Sequence, residues 1–126
     1  ALRWAGTHKL GHLLEVDRED TVRNLKPDYR ALAKVSGPAV SVTAAVTDGK
    51  RDFVSRLFAP NLGIDEDPVT GGAHCWLGPY WAKKLGKPEV VGHQISARGG
   101  TVRVRPQGER VSLGGAAITV LRGELA

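Results

Sequence analysis

Asp65 to Cys75, DEDPVTGGAHC, is the stretch on which the reading of this chain turns. It begins with Asp65, Glu66 and Asp67. Pro68 and the β-branched pair Val69-Thr70 then favour an extended approach. Gly71 and Gly72 open an apolar helix. The order places acids beside the free backbone N–H groups of a helix start. Those groups lack intrahelical partners and lie at the positive end of the dipole, so they bind anions without a charged side chain. An acid next to an anion hole suits proton transfer on a small carboxylated molecule. A turn with solvated acids followed by a buried helix fits the same spacing, and on spacing alone that plainer reading is the stronger.

Downstream of the stretch, Ala73, Trp76, Leu77, Tyr80, Trp81 and Leu85 recur at three- and four-residue spacing. This predicts a helix over Gly72 to Leu85, with Pro79 as an interruption and Lys83, Lys84, Gly86 and Pro88 as end signals. Upstream, Ala59 to Thr70 reads as a loop of about twelve residues, a length often associated with function. Before it, Val40, Val42, Ala44 and Val46 alternate with Ser41, Thr43 and Ala45, which is the period of a strand. Asp48-Gly49 is a hairpin turn signal, and the return strand runs from about Asp52 to Phe58. Leu10 to Val16 can be a strand. Asp17 is a candidate cap for a helical turn reaching Leu25. Pro27 and Asp28 open a second short helix, with Tyr29, Leu32, Ala33 and Val35 inward and Gly37-Pro38 as its stop. From Val90 onward the pattern is β: Thr101 to Arg105, a turn at Gln107-Gly108, Arg110 to Leu113, and Ala117 to Leu121. The pattern predicts that the 126 residues form one α+β domain, an antiparallel β-sheet rolled around one central helix.

Composition narrows the classes. Charged residues make up 25% and hydrophobic residues 41%, ordinary values for a globular domain. No apolar run approaches the roughly 20 residues that span a bilayer, so no membrane role is expected. The single cysteine, Cys75, rules out an internal disulfide and fits a cytoplasmic setting. Net charge is +5, without a block of like charges, and aromatics are 6%. That argues against a nucleic-acid surface but favours attraction of small anionic metabolites. His8, His12 and His93 form no ligand spacing, so no metal site is expected. The chain has no Met and begins at Ala1, as expected of a processed, trimmed or partial polypeptide.

Phe53 to Trp81, FVSRLFAPNLGIDEDPVTGGAHCWLGPYW, resembles the PhzF-like phenazine-biosynthesis proteins. Gln94 to Gly100, QISARGG, fits the same family, as does the closing run from Arg110 to Leu125. The resemblance covers essentially the whole chain and is most specific at D-P-V-T-G-x-A-H-C. It implies a diaminopimelate-epimerase-like fold of two similar halves, each a sheet around a helix, with the active site between the facing helix starts. It implies isomerisation of a small carboxylated metabolite by proton transfer, in biosynthesis, without metal or organic cofactor. This chain resembles the C-terminal half, so it is expected to need a complementary N-terminal half or a second copy as a homodimer.

The family's catalytic glutamate lies in the other half and has no counterpart in this chain. Asp67 matches the family's acid at the start of the motif, and the resemblance turns the balance toward a site role for it. Thr70, Gly71, Gly72, Ala73 and His74 match the substrate-binding helix start, with Gly71, Gly72 and Ala73 offering N–H groups to a carboxylate. Gly72 stands where the family commonly has Ser. His74 is as readily a packed or capping histidine. Asp65 and Glu66 are expected to be solvated, Cys75 buried and inert, and Trp76 and Trp81 in the core. Arg56 and Arg98 could meet substrate or the acidic loop, or form structural ion pairs. A non-catalytic small-molecule-binding or interaction module on the same fold remains the alternative function.

Overall fold

The computed structural model describes residues 1–126 as a mixed α+β domain. Its eight strands are β1 (Leu2–His8), β2 (Gly11–Val16), β3 (Val40–Ala45), β4 (Phe53–Ala59), β5 (Ile64–Asp67), β6 (Val90–Gln94), β7 (Gly100–Gln107) and β8 (Arg110–Gly114). The helices are α1 (Glu19–Arg23), α2 (Tyr29–Leu32) and α3 (Gly71–Leu85). The sheet runs β1-β2-β3-β4-β6-β7-β8, with β5 attached to β4 off that path.

The sheet is not wholly antiparallel. β2 pairs parallel with β3, and β4 pairs parallel with β6. Each parallel pair is joined by a connection long enough to cross over, through α1 and α2 in one case and through β5 and α3 in the other. β3 is buried on both faces except at Ala45, because the two faces serve two cores. Leu13, Phe53, Leu57, Val90, Val102 and Val104 pack with α3 on one face. Val22, Val40, Val42, Val54 and Phe58 pack under α1 and α2 on the other.

The inward stripe of α3 is rotated from the expected one. Ala73, His74, Leu77, Gly78, Trp81 and Ala82 are buried, whereas Leu85 is exposed and Trp76 and Tyr80 are half-buried. Small residues let the helix approach closely: a Cβ on Gly78 would lie 2.0 Å from Val104 Cγ1. Trp76 and Tyr80 pack at the margin of this core and also meet β1, stacking on His8 and against Trp4, each with ring centroids 5.0 Å apart. Trp81 Nε1 donates to Thr43 Oγ1 at 3.0 Å. Tyr80 and Lys84 both reach the buried carboxylate of Glu15 on β2. α3 continues through Pro79.

Several local expectations need correction. The segment Ala59 to Thr70 is not a bare loop. A 3₁₀ turn at Pro60–Leu62 ends at Gly63, whose φ of 79° suits glycine, and β5 follows along the edge of β4. β1 was not foreseen, because Leu2–His8 is mostly exposed and lacks a clean alternation. Ala117 to Leu121 is not a strand: the ladder ends at Gly114, and the apolar side chains beyond it find no partner. Arg18, not Asp17, is the cap position of α1; Asp17 accepts from the Thr21 hydroxyl. Asp28 does cap α2, receiving Ala31 N–H at 3.0 Å, but Ala33 and Val35 lie outside the core. No helix is long and apolar enough to cross a membrane.

Candidate functional site: the fork beneath the start of α3

One edge of β4 serves two strands. Phe53–Ser55 pairs with β6, and Leu57–Ala59 pairs with β5. The end of β6 at Gln94, opposite Ser55, therefore comes close to the end of β5 at Asp67, opposite Leu57. The chain passes from Asp67 into α3 across this fork.

Gln94 holds the fork closed. It is fully buried. Its Oε1 accepts the Thr70 backbone N–H at 2.9 Å. Its Nε2 donates to the Asp67 carbonyl at 2.7 Å and to Thr70 Oγ1 at 3.1 Å. A backbone N–H can only donate and a carbonyl can only accept, so the amide has one orientation. The Thr70 hydroxyl accepts from Gln94 and so directs its single proton to Asp67 Oδ2, its other partner. That hydroxyl makes no cap bond to the helix. The half-buried Asp67 carboxylate is thus held through one oxygen, while Oδ1 has no partner in the chain.

The first turn of α3 contributes donors. Gly71, Gly72 and Ala73 have no acceptor for their N–H groups within the chain, as expected at a helix start. Gly71 and Gly72 are exposed; Ala73 is buried. Behind them, fully buried His74 donates Nδ1–H to the Thr70 carbonyl at 2.8 Å. Its Nε2 is buried without a partner. Burial holds the imidazole below its ordinary pKa, against the smaller opposing effect of the Thr70 bond, so the ring is neutral at pH 7. No group of three or more His, Cys, Asp or Glu side chains converges as a metal site would require.

Residues 2–123 match the profile of the phenazine biosynthesis-like protein family, PhzC-PhzF. The chain belongs to that family. An uncharacterized isomerase of Halalkalibacterium halodurans is 43% identical over 122 residues, covering 97% of this chain and 46% of the relative. An uncharacterized isomerase of Pseudomonas aeruginosa is 50% identical over 119 residues, covering 94% and 44%. Among solved structures, a PhzF-family phenazine biosynthesis protein from Enterococcus faecalis superposes with a TM-score of 0.81 at 35% identity, covering 94% of this chain and 48% of that one. A PhzC/PhzF protein from Clostridium difficile gives 0.80 at 38% identity, with 91% and 44% covered. The chain spans less than half the length of these relatives.

Within this member of the phenazine biosynthesis-like family, the motif residues fall into distinct places. Asp67, Thr70, Gly71 and Gly72 cluster at the fork, with Ala73 and His74 forming its buried back wall. Thr70 does not present a free hydroxyl; it serves Asp67. Glu66 is not simply solvated. Arg56 grips it with Nε at 2.7 Å and a second nitrogen at 2.9 Å, and also donates to the Val22 and Leu25 carbonyls, tying β5 to the end of α1. That hydrogen bond raises the Arg56 pKa further and settles its role as a structural ion pair. Asp65 is exposed. Cys75 is exposed, not buried, because it lies on the helix face turned from the sheet. Gln94 had no assigned role in the sequence reading. Its signal was available: Val90, Gly92 and Gln94 alternate inward along β6, which puts a polar amide on a buried face.

Proposed function

We propose that this chain is one half of a PhzF-type isomerase that moves a proton on a small carboxylated metabolite, without metal or organic cofactor. The observation that carries the reading is the Gln94–Thr70–Asp67 chain of hydrogen bonds, which holds Asp67 through one carboxylate oxygen and leaves the other unbonded, four and five residues before the unpaired N–H groups of Gly71 and Gly72. In this reading Gly71 and Gly72 hold the substrate carboxylate, Asp67 Oδ1 takes up or returns the proton, and the second acid comes from the other wall. The naming of two relatives as isomerases supports it.

The other wall is a complementary N-terminal half, in a two-halved epimerase-like fold, or a second copy of this chain. Supporting this, the relatives are more than twice as long, and Leu2 and Trp4 on edge strand β1 are exposed, as are Ile118, Val120 and Leu121 beyond β8. Exposed edges with apolar side chains favour association. Sedimentation at micromolar concentration should therefore show more than the 13.5 kDa species. Activity is tested in the assembled protein by solvent deuterium incorporation into candidate carboxylated substrates; no incorporation across a broad panel would sink the catalytic reading.

A binding-only role on the same fold is the second reading, favoured by Gly72, which lacks the hydroxyl common in the family. A Cβ there is accommodated, meeting Leu10 Cδ1 at 3.6 Å, an ordinary contact. Gly72→Ser should fold normally and tighten a carboxylate by the worth of one hydrogen bond, about 0.5–1.5 kcal/mol. Calorimetric titration of both forms with the same carboxylate checks this, and equal or weaker binding by the Ser form counts against a family-like pocket.

A further inference from the structure

Beside the fork lies a groove of about 800 Å³, to which the D-P-V-T-G motif contributes Val69 and the Gln94–Gly100 segment contributes Arg98, Gly99 and Gly100. It opens where β8 leaves β7. The ladder between them ends at Arg103 opposite Gly114, yet β7 extends back to Gly100. The Gly100–Val102 edge is therefore without a β8 partner. Gly99, Gly100, Gly114 and Gly115 line it, so much of its wall is backbone, with the Gly99 N–H already donated to Ser96 Oγ at 3.0 Å. Gly100 has to be glycine, since a Cβ would lie 2.3 Å from Val69 Cγ2. That close approach packs the groove against the segment leading into α3.

Arg98 and Arg103 line this groove, both exposed, and no carboxylate lines it. Neither guanidinium has an acidic partner, unlike Arg23, Arg51, Arg56 and Arg105; Arg3, Arg18, Arg30, Arg110 and Arg122 are also without one but do not line the groove. The contrast with Arg105 is the sharpest. It stands two residues from Arg103 on the same exposed side of β7, and Glu89 neutralises it. Two unneutralised guanidinium groups lining one glycine-rich groove suit a doubly charged oxyanion, because each fork can donate two parallel N–H bonds to a carboxylate or phosphate.

We infer that the Arg98–Arg103 groove is a binding site for a small dianion, carboxylate or phosphate, separate from the Asp67 helix start. All of its lining residues named above belong to this chain, and its occupancy does not depend on proton transfer. The test is a nuclear magnetic resonance titration of the protein at constant ionic strength, with inorganic phosphate in one arm and malonate in the other. The Gly99, Gly100 and Gly114 amides should shift and saturate in at least one arm, and the arm that saturates at lower concentration identifies the oxyanion. Arg98→Gln and Arg103→Gln should each raise the dissociation constant at least five-fold, with Arg105→Gln changing it less than two-fold. Unperturbed amide signals elsewhere establish that each variant is folded. Asp67→Asn should leave the titration unchanged, so a failed exchange assay and a failed titration have separate meanings. Shifts spread evenly over the basic surface, no saturation in either arm, or equal effects of all three arginine variants would overturn the assignment.

Discussion

Thr70 at the start of α3 and Thr119 beyond β8 make a useful comparison. Both stand in β-branched company, yet their surroundings are opposite. Around Thr70, the N–H, carbonyl and hydroxyl are all engaged, by Gln94, His74 and Asp67. Around Thr119, Ile118 is 88% and Val120 92% exposed, and no strand forms. The difference is not in local preference. β-propensity is a statement about fitting a pleated, half-covered surface. Residues 117–121 have the pattern but no surface to lie on within this chain, while Thr70 is enclosed by strands far away in sequence.

The largest effect that could break this comparison is at the enclosed end. Asp67→Asn keeps the shape and an acceptor for the Thr70 hydroxyl but cannot cycle a proton. In the assembled protein, deuterium exchange should fall by about 10²–10⁴-fold, the range for a positioned acid or base. Unchanged exchange together with a lowered urea midpoint would reduce Asp67 to a turn acid.

Next is Gln94→Leu, which removes the amide at similar size. The Thr70 N–H and Asp67 carbonyl lose their partners in a part-buried place. Urea unfolding should show a loss of about 1–3 kcal/mol, the scale of an unsatisfied buried group. A loss below the scatter of the measurement would mean that the fork closes without the amide.

A smaller, graded effect is expected from pH. Burial lowers the pKa of His74 in the folded state, and burial together with Arg51 lowers that of His93. As pH falls below about 6.5, the unfolded chain takes up protons that the folded imidazoles resist, so stability declines from that point downward. It is fully present above that pH. His74→Asn, which can still donate to the Thr70 carbonyl, should flatten the dependence more than His93→Gln does. Parallel curves for wild type and His74→Asn would contradict the assignment.

The smallest effect belongs to the open end. Deleting residues 116–126 should shift the unfolding free energy of the chain by no more than about 0.5 kcal/mol, as for other surface changes. The same deletion should weaken association, read by sedimentation. A large loss of stability in the monomer would show that this segment packs on its own domain after all.

Much of the fold was legible. The hairpin signal at Asp48-Gly49, the alternation in β3 and β7, and the extent of α3 all came from local pattern. Local pattern could not reveal β5, because Ile64–Asp67 is a strand only by virtue of the β4 edge beside it. Nor could it give the rotation of the α3 stripe, which follows from the room that Ala73, Gly78 and Ala82 leave for the sheet. At the site, the residue types were readable but not their connections. The Thr70 hydroxyl meets Asp67, a link that residue type alone does not give; Glu66 was expected in solvent, and Arg56 holds it. The first contact lies within the motif but is oriented by Gln94, 24 residues away, and the second depends on a partner ten residues upstream.

The shared edge of β4 has a consequence for breathing motions. β6 is locked between β4 and β7, so its amides should exchange with solvent only when most of the domain opens. β5 has four residues and β4 as its single neighbour, so it can detach while the remaining sheet stays intact. Local openings of this kind have free energies well below the global value. The acid therefore rides on one of the most weakly fastened strands, and the donors of α3 sit on one of the best fastened helices. Excursions of Asp67 relative to the N–H groups at the start of α3 become thermally accessible, with Gln94 and the Arg56–Glu66 pair as the latches that set their frequency.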